Sequence, residues 1–209
     1  MQWILLPGAY MTPADFVAAG FVEAVRSRGL PYDLVLLEAT VPEVADGSAL
    51  RYLQAFLRDD PPAGRLPVGL AGISLGGHLA LACLVRAGCS EPERFAAGRV
   101  RSACLLAPYL GPRDIAVEAA RGDGLAGWQP DVDTEDIDRR IWQWLQSGQA
   151  ARAECELHLG YGSEDRFAPV HALLARALPP QRTDVGPGAH DWDTWRRLWN
   201  RYLDRHEHG

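Results

Sequence analysis

The strongest constraint on the fold is the alternation of short apolar runs with longer segments of helical spacing along the chain. The predicted strands cover residues 3–6, 32–38, 66–73, 100–107, 154–160 and 182–186. The predicted helices cover residues 13–28, 46–58, 76–87, 169–177 and 191–203. Because strands that alternate with helices pair in parallel, we expect an α/β fold. It should be a doubly wound, mostly parallel sheet of about six strands with helices on both faces.

One domain is enough for a chain of 209 residues. The stretch 112–153 breaks the alternation, because it is longer than one connecting helix requires between the fourth and fifth strands. Ligands bind at the carboxyl ends of parallel strands, and a long insertion at that edge is a candidate lid. We therefore expect residues 1–209 to form a single domain, with a lid or cap formed by residues 112–153.

Charge and hydropathy exclude several classes of partner. The 21 basic residues are all arginine and are scattered, and the net charge is −6, so nucleic acid is not an expected partner. The apolar runs are too short to span a bilayer, and the N-terminus lacks the basic segment of a signal peptide. We expect a cytoplasmic protein of undetermined oligomeric state.

The cysteines form no CxxC pair and lie in apolar segments, which favours buried free thiols over a metal site or a disulfide framework. They are Cys83, Cys89, Cys104 and Cys155. The histidines are dispersed, and His206 and His208 lie in a polar tail where solvation is expected. No metal site is predicted.

The strongest chemical signal is the pentapeptide GISLG at residues 72–76, with Ser74 at its centre. A predicted strand ends just before Ser74 and a small apolar helix begins just after Leu75, which is the setting of a nucleophile elbow. The helix N-terminus also favours negative charge that develops near the serine. A plain glycine-rich turn between strand and helix is the alternative interpretation.

A serine hydroxyl needs a histidine as its base and a carboxylate that orients the histidine. Asp165 follows the fifth predicted strand, with Glu164 beside it as the competing acid, and His190 follows the sixth. Serine, acid and histidine thus each follow a separate strand, in the order that this kind of site uses. Of the other histidines, His78 is placed to line the floor of a pocket.

An oxyanion formed at Ser74 requires two backbone donors. The first is expected to be the amide of Leu75, and the second should come from the loop after the first strand, where Gly8 permits a close approach. Ala9 is the first choice for this second donor and Tyr10 is the alternative.

Several aromatic residues and His78 are candidates for binding a substrate. The candidates are Tyr10, His78, Trp128, Trp142 and Trp192. One interpretation is an apolar acyl or aromatic pocket beneath a lid. The other is that tryptophans such as Trp142, Trp192, Trp195 and Trp199 pack helices onto the sheet.

Four motifs, PGAY, GISLGG, GSEDRFAP and GAHDWDTW, together resemble the α/β-hydrolase superfamily over nearly the whole chain. The last is similar to the GGHDWxxW ending of the esterase D and feruloyl-esterase-like branch. The resemblance implies a small serine esterase with Ser74, Asp165 and His190 as its triad, acting without a metal or organic cofactor. Its substrate would be a small ester or thioester.

The chain departs from that family pattern in two ways. It starts at the strand that leads to the oxyanion loop, without the two antiparallel strands that many members have before it. Pro7-Gly8 also replaces the usual His-Gly of the oxyanion loop. Two further functions stay open, namely a thioesterase or acyltransferase on the same triad and a catalytically silent binding module.

Overall fold

The computed structural model describes residues 1–59, 66–89, 100–120, 124–128, 136–152 and 155–206. Its sheet has six strands, all parallel, in the order β2-β1-β3-β4-β5-β6. The strands are β1 Gln2–Leu6, β2 Asp33–Leu36, β3 Val68–Ile73, β4 Val100–Leu106, β5 Glu156–Gly162 and β6 Thr183–Gly186. The expected sheet of about six parallel strands is confirmed.

Helices connect and cover these strands, together with short 3₁₀ turns at Gly124–Gly127 and Pro180–Arg182. The helices are α1 Pro13–Ala18, α2 Phe21–Ser27, α3 Val41–Ala45, α4 Ser48–Asp59, α5 Leu75–Cys89, α6 Arg113–Ala119, α7 Ile137–Gln146, α8 Gln149–Arg152, α9 Ala168–Arg176 and α10 Trp192–His206. None of the helices in the described ranges is long and apolar enough to cross a membrane. The cytoplasmic location stays a prediction.

The order in which the strands are added to the sheet reverses between β1 and β3. The chain passes from β1 outward to β2, then returns to place β3 on the other side of β1 and continues to β6. In such sheets ligands bind at the carboxyl ends of the strands beside this reversal. Leu6 pairs with Gly72 there, so the loop after β1 and the turn after β3 are neighbours.

On one side of the sheet, α2 and α10 pack together through aromatic residues. Trp199 stacks on Phe21 at 5.9 Å, and its indole N–H donates to the Phe21 carbonyl at 3.2 Å. Trp3 of β1 meets the edge of Trp199 at 5.5 Å. Aromatic contacts of this kind are worth about 0.5–1.5 kcal/mol beyond the area that they bury.

A second group of helices surrounds α5, which packs on β1, β3 and β4 and contacts α4 and α7. Helix α7 turns Ile141, Trp142 and Leu145 into the core, and the Trp142 indole donates to the Leu110 carbonyl at 2.9 Å. The described part of residues 112–153 is therefore packed onto the domain through α7. That it moves as a lid stays a prediction.

Two predicted helix boundaries were wrong. The helix expected over 13–28 is two helices, because Gly20 takes a left-handed φ of 83° and ends the first one. The final helix continues to His206 instead of ending near residue 203, so His206 lies in α10 and not in a solvated tail. Helix α3 was not predicted, although Thr40 and Glu43 form a capping box at its start.

The fifth strand was predicted two residues too early. Its pairing with β6 continues through Tyr161–Val185 and Gly162–Gly186, so the strand extends across glycines that suggested a loop. The cysteine prediction is confirmed where the structure describes the side chains, since Cys83, Cys104 and Cys155 are buried free thiols.

The close packing of the turn after β3 makes a stability prediction. A Cβ on Gly76 would meet the backbone carbonyls of Leu6 and Pro7, the second at 2.7 Å, and backbone cannot move aside cheaply. We expect Gly76→Ala to lower the free energy of unfolding by about 2 kcal/mol or more, measured by urea denaturation. Gly186→Ala is the matched control, because its nearest neighbour is an arginine side chain at 3.5 Å. Equal stability of the two variants would contradict the prediction.

Candidate active site

Ser74 occupies a strained turn between β3 and α5. Its φ is 49°, a value that residues with a side chain adopt rarely and usually at functional sites. Its N–H donates to the Leu106 carbonyl at 2.9 Å, and its own carbonyl accepts from the amides of Tyr109 at 2.8 Å and His78 at 3.1 Å. These three bonds hold the strained conformation against the neighbouring strand.

Two loops after β5 and β6 lie side by side. The Ser163 amide donates to the Gly186 carbonyl at 2.7 Å, and the Glu164 amide donates to the Gly188 carbonyl at 3.0 Å. Gly162 carries no side chain where the Gly188 carbonyl approaches it. The hydrogen-bond ladder of the sheet thus continues into the loops and fixes the separation of Asp165 and His190.

Asp165 and His190 form a direct pair. Asp165 Oδ2 lies 2.7 Å from His190 Nδ1, and Asp165 Oδ1 accepts from the Phe167 amide at 2.8 Å. Burial alone would raise the pKa of Asp165. The hydrogen bonds from His190 and Phe167 outweigh burial and hold the pKa below its ordinary value. Glu164, the competing acid, is exposed.

The His190 ring is held from two sides. Trp195 meets it edge-on at 5.0 Å, and Phe167 meets it at 5.5 Å with an interplanar angle of 76°. The proton that Nδ1 directs to Asp165 leaves the lone pair on Nε2, which suits a general base.

Residues that follow all six strands line one cavity of about 820 Å³ at the carboxyl edge of the sheet. The predicted site residues on its wall are Ala9, Tyr10, Ser74, Leu75, His78 and His190. The structure therefore brings the predicted nucleophile, the predicted base and both predicted oxyanion segments to one cavity, with Asp165 buried behind His190.

No family model and no curated protein matches the chain, but solved structures do. FphF, a fluorophosphonate-binding serine hydrolase of Staphylococcus aureus, aligns at 14% identity and a TM-score of 0.63, over 99% of this chain and 83% of its own. S-formylglutathione hydrolase (FrmB) of the same organism aligns at 13% and 0.58, over 99% and 80%. A ferulic acid esterase aligns at 15% and 0.58, over 97% and 83%.

The chain has the α/β-hydrolase fold. At such low identity the likeness extends to the fold and leaves the activity to be argued from the site. All six strands in the described ranges are parallel, so the two antiparallel strands that many α/β-hydrolases have before the oxyanion strand are not among them. Ser74, Asp165 and His190 each follow one of these parallel strands, namely β3, β5 and β6.

The Ser74 hydroxyl makes no side-chain hydrogen bond within the described residues, so the serine–histidine bond of an α/β-hydrolase triad is not formed here. Such bonds are often long before a substrate is bound and tighten afterwards. The geometry brings together the pair Asp165–His190 and places Ser74 on the same cavity.

The predicted oxyanion segments also contain backbone amides that could bind a ligand. In the described parts of the chain, the amides of Ala9, Tyr10 and Leu75 donate to no protein acceptor. Leu75 is the first residue of α5, where an unpaired amide is normal, and Tyr10 has a φ of 62° in an exposed loop. These amides are free to bind an oxygen of a ligand.

The three tryptophans expected at the substrate do not line this cavity. Trp128 and Trp142 are buried in the core, and Trp192 packs edge-on against Phe16 at 5.8 Å and Phe21 at 5.9 Å. For Trp142 and Trp192 the packing interpretation is the one that the structure supports, because α7 and α10 pack against their neighbours through these side chains. Trp195, one turn along α10, is the tryptophan that reaches the cavity.

Sequence reasoning missed several wall residues. They are Met11, Val41, Val44, Ala45, Tyr109, Ile137, Asp138, Arg166 and Phe167. Position after a strand end was a usable signal for Tyr109 and Phe167. No local signal marked Asp138, which reaches the wall because α7 packs against α5.

His78 and Asp138 form a polar spot on the otherwise largely apolar wall, with His78 Nδ1 at 3.6 Å from Asp138 Oδ1. Burial lowers the pKa of His78 to about 4, which a backbone hydrogen bond to Tyr109 opposes. Burial also raises the pKa of Asp138 to about 6, with further contributions from Asp136 and Asp114. His78 is therefore neutral at neutral pH and gives Asp138 no positive charge to pair with.

The raised pKa of Asp138 makes a pH-dependent prediction. A carboxyl that binds its proton more tightly in the folded protein opposes folding once it ionises. The loss of folding stability is complete above about pH 6, where Asp138 is ionised. It disappears as the pH falls towards 3.8, the ordinary pKa of an aspartate. Urea denaturation should therefore find Asp138→Asn more stable than the parent at pH 8, with the difference shrinking towards pH 4.

The exposed carboxylate Asp33 supplies the matched control. Asp33→Asn should show no comparable gain at pH 8. A gain for Asp138→Asn that is constant across the pH range would assign the effect to packing and contradict the electrostatic account.

Proposed function

We propose that this protein is a serine hydrolase that cleaves carboxylic esters through an acyl-enzyme on Ser74. The observation that carries the proposal is the Asp165–His190 pair at 2.7 Å beside the cavity that also contains the strained Ser74. Three solved structures with the same fold bear the names of a serine hydrolase, a thioester hydrolase and an esterase, which supports hydrolysis in general.

In the proposed mechanism, His190 Nε2 removes the proton from the Ser74 hydroxyl as its oxygen attacks the ester carbonyl. The amides of Leu75 and Ala9, with Tyr10 as the alternative, stabilise the oxyanion. Asp165 stabilises the imidazolium, which then gives its proton to the departing alcohol. Water attacks the acyl-enzyme with His190 again as base, and the acid is released.

The cavity favours an ester of modest size with an apolar acyl group. Its wall carries Val44, Phe167 and Trp195 and few charged groups. A second cavity of about 640 Å³ adjoins it and shares Tyr109, Arg166 and Phe167 with its wall. We propose that longer acyl groups extend into this second space.

A thioesterase or an acyltransferase on the same triad is the second candidate. The fold likeness to an S-formylglutathione hydrolase, whose name specifies a thioester, favours the thioesterase. Parallel assays with matched esters and thioesters of one acyl group separate an esterase from a thioesterase. A catalytically silent binding module would show turnover of neither.

Variants of the nucleophile and the base test the mechanism directly. With a p-nitrophenyl ester, Ser74→Ala should reduce turnover to background, and His190→Ala should reduce kcat by on the order of a thousandfold or more. Ser27→Ala is the control, because Ser27 is the last residue of α2 and lines neither of the two cavities. Turnover that survives Ser74→Ala would exclude the serine mechanism.

The choice of acid is tested by a neighbouring pair of variants. Asp165→Asn removes the acceptor of the His190 hydrogen bond, so kcat should fall by on the order of a thousandfold or more. Glu164→Gln should leave kcat within about twofold, because Glu164 is exposed. The reverse ranking would move the acid role to Glu164.

A further inference from the structure

Three side chains of types that bind metals lie near the amino end of β5, whereas the candidate active site lies at the carboxyl ends of the strands. Glu156 and His158 are two residues apart at the start of β5, so both project from the same face of the strand. His206 is the last residue of α10, which packs across β5. The fold therefore joins three residues that are far apart in the sequence.

The separations within this group suit a shared ion better than direct hydrogen bonds. His158 Nε2 lies 3.7 Å from Glu156 Oε1, and His206 Nε2 lies 4.0 Å from Glu156 Oε2. One ligand atom of each residue lies within 4.8 Å of those of the other two. An ion about 2.0–2.2 Å from each ligand atom fits between atoms at these separations after small side-chain adjustments.

His158 supplies a second, independent indication of a ligand. Its side chain is 10% exposed, and its Nε2 has no hydrogen-bond partner within the described ranges. A buried polar atom without a partner costs free energy and calls for an explanation such as an ion. The unpartnered nitrogen lies next to the Glu156 carboxylate, so a cation placed between them would satisfy both groups.

His206 is oriented as a metal-binding histidine usually is. Its Nδ1 lies 2.7 Å from the Tyr202 carbonyl, which can only accept, so Nδ1 carries the proton and Nε2 carries the lone pair. The His206 ring stacks on the Tyr202 ring, with 4.2 Å between the ring centroids. The His158 ring meets the His206 ring edge-on, with 4.8 Å between the centroids. The carboxyl end of α10 also favours a positive charge.

We propose that Glu156, His158 and His206 bind one divalent transition-metal ion, with zinc as the best match to a site of two imidazoles and a carboxylate. Glu156 is 48% exposed, which leaves room for water as a fourth ligand. The ion would connect β5 to α10. The loop after β5 carries Asp165, and His190 precedes α10, so the site ties together the two elements that position the acid and the base.

Arg182 sets the affinity of this site. Its Nε lies 3.8 Å from Glu156 Oε1, so its positive charge competes with a bound cation for the carboxylate. Removing that charge while keeping a polar side chain should strengthen metal binding.

The test is calorimetric titration of Zn²⁺ into the full chain after treatment with EDTA. We expect one ion per chain with micromolar or tighter affinity, weakened at least tenfold in Glu156→Gln and His206→Ala, and strengthened in Arg182→Gln. Both weakened variants change side chains that are at least partly exposed, so they should fold. Zn²⁺ should raise the Tm of the parent protein and not that of His206→Ala.

His208→Ala is the matched control, because it removes the histidine two residues after His206 in the sequence and keeps the three proposed ligands. It should bind Zn²⁺ like the parent. Absence of saturable binding, unchanged affinity in His206→Ala, or loss of binding in His208→Ala would each overturn the proposal.

Discussion

The contact on which most of the site depends is the close approach of the α5 N-terminus to the end of β1. Gly76 lies against the carbonyls of Leu6 and Pro7, and a Cβ on Gly72 would meet the backbone of Gly76 and Gly77. Without side chains there, the turn between β3 and α5 is tight enough to force Ser74 to positive φ. The same contact brings the loop after β1 next to the Leu75 amide.

A second backbone contact places the remaining groups. Gly162 and Gly188 let the loops after β5 and β6 lie against each other, and the amides of Ser163 and Glu164 bond across them. Asp165 is thereby buried beneath His190, while the next residue back, Glu164, faces solvent. The pairing of acid and histidine is thus a consequence of strand register continued into loops.

The sequence predicted the sheet and the strand ends at which the candidate groups lie. Alternating strands and helices define the sheet, and each candidate group follows a strand, so the sequence order alone predicted their common edge. The predicted ends of helices and strands were less accurate. Gly20 ends α1 although the apolar pattern of the sequence continues past it, and β5 extends through two glycines to pair with β6. Pairing and backbone conformation decided those positions, and neither is visible in local periodicity.

Residues that meet through tertiary packing alone could not be predicted. His78 and Asp138 come together because α7 packs on α5, and Glu156 and His206 because α10 crosses β5. The aromatic residues show the same limit. Trp142 and Trp192 carry no sequence mark that separates core from pocket, and their positions were decided by the neighbouring segments against which α7 and α10 pack.

The proposed mechanism depends above all on Ser74 being an activated nucleophile. The most direct measurement is reaction of the intact protein with a fluorophosphonate, followed by peptide mass spectrometry. We expect one covalent adduct, located on Ser74, that is absent in Ser74→Ala and forms far more slowly in His190→Ala. An unmodified parent protein, or an adduct on another residue, would contradict the serine mechanism.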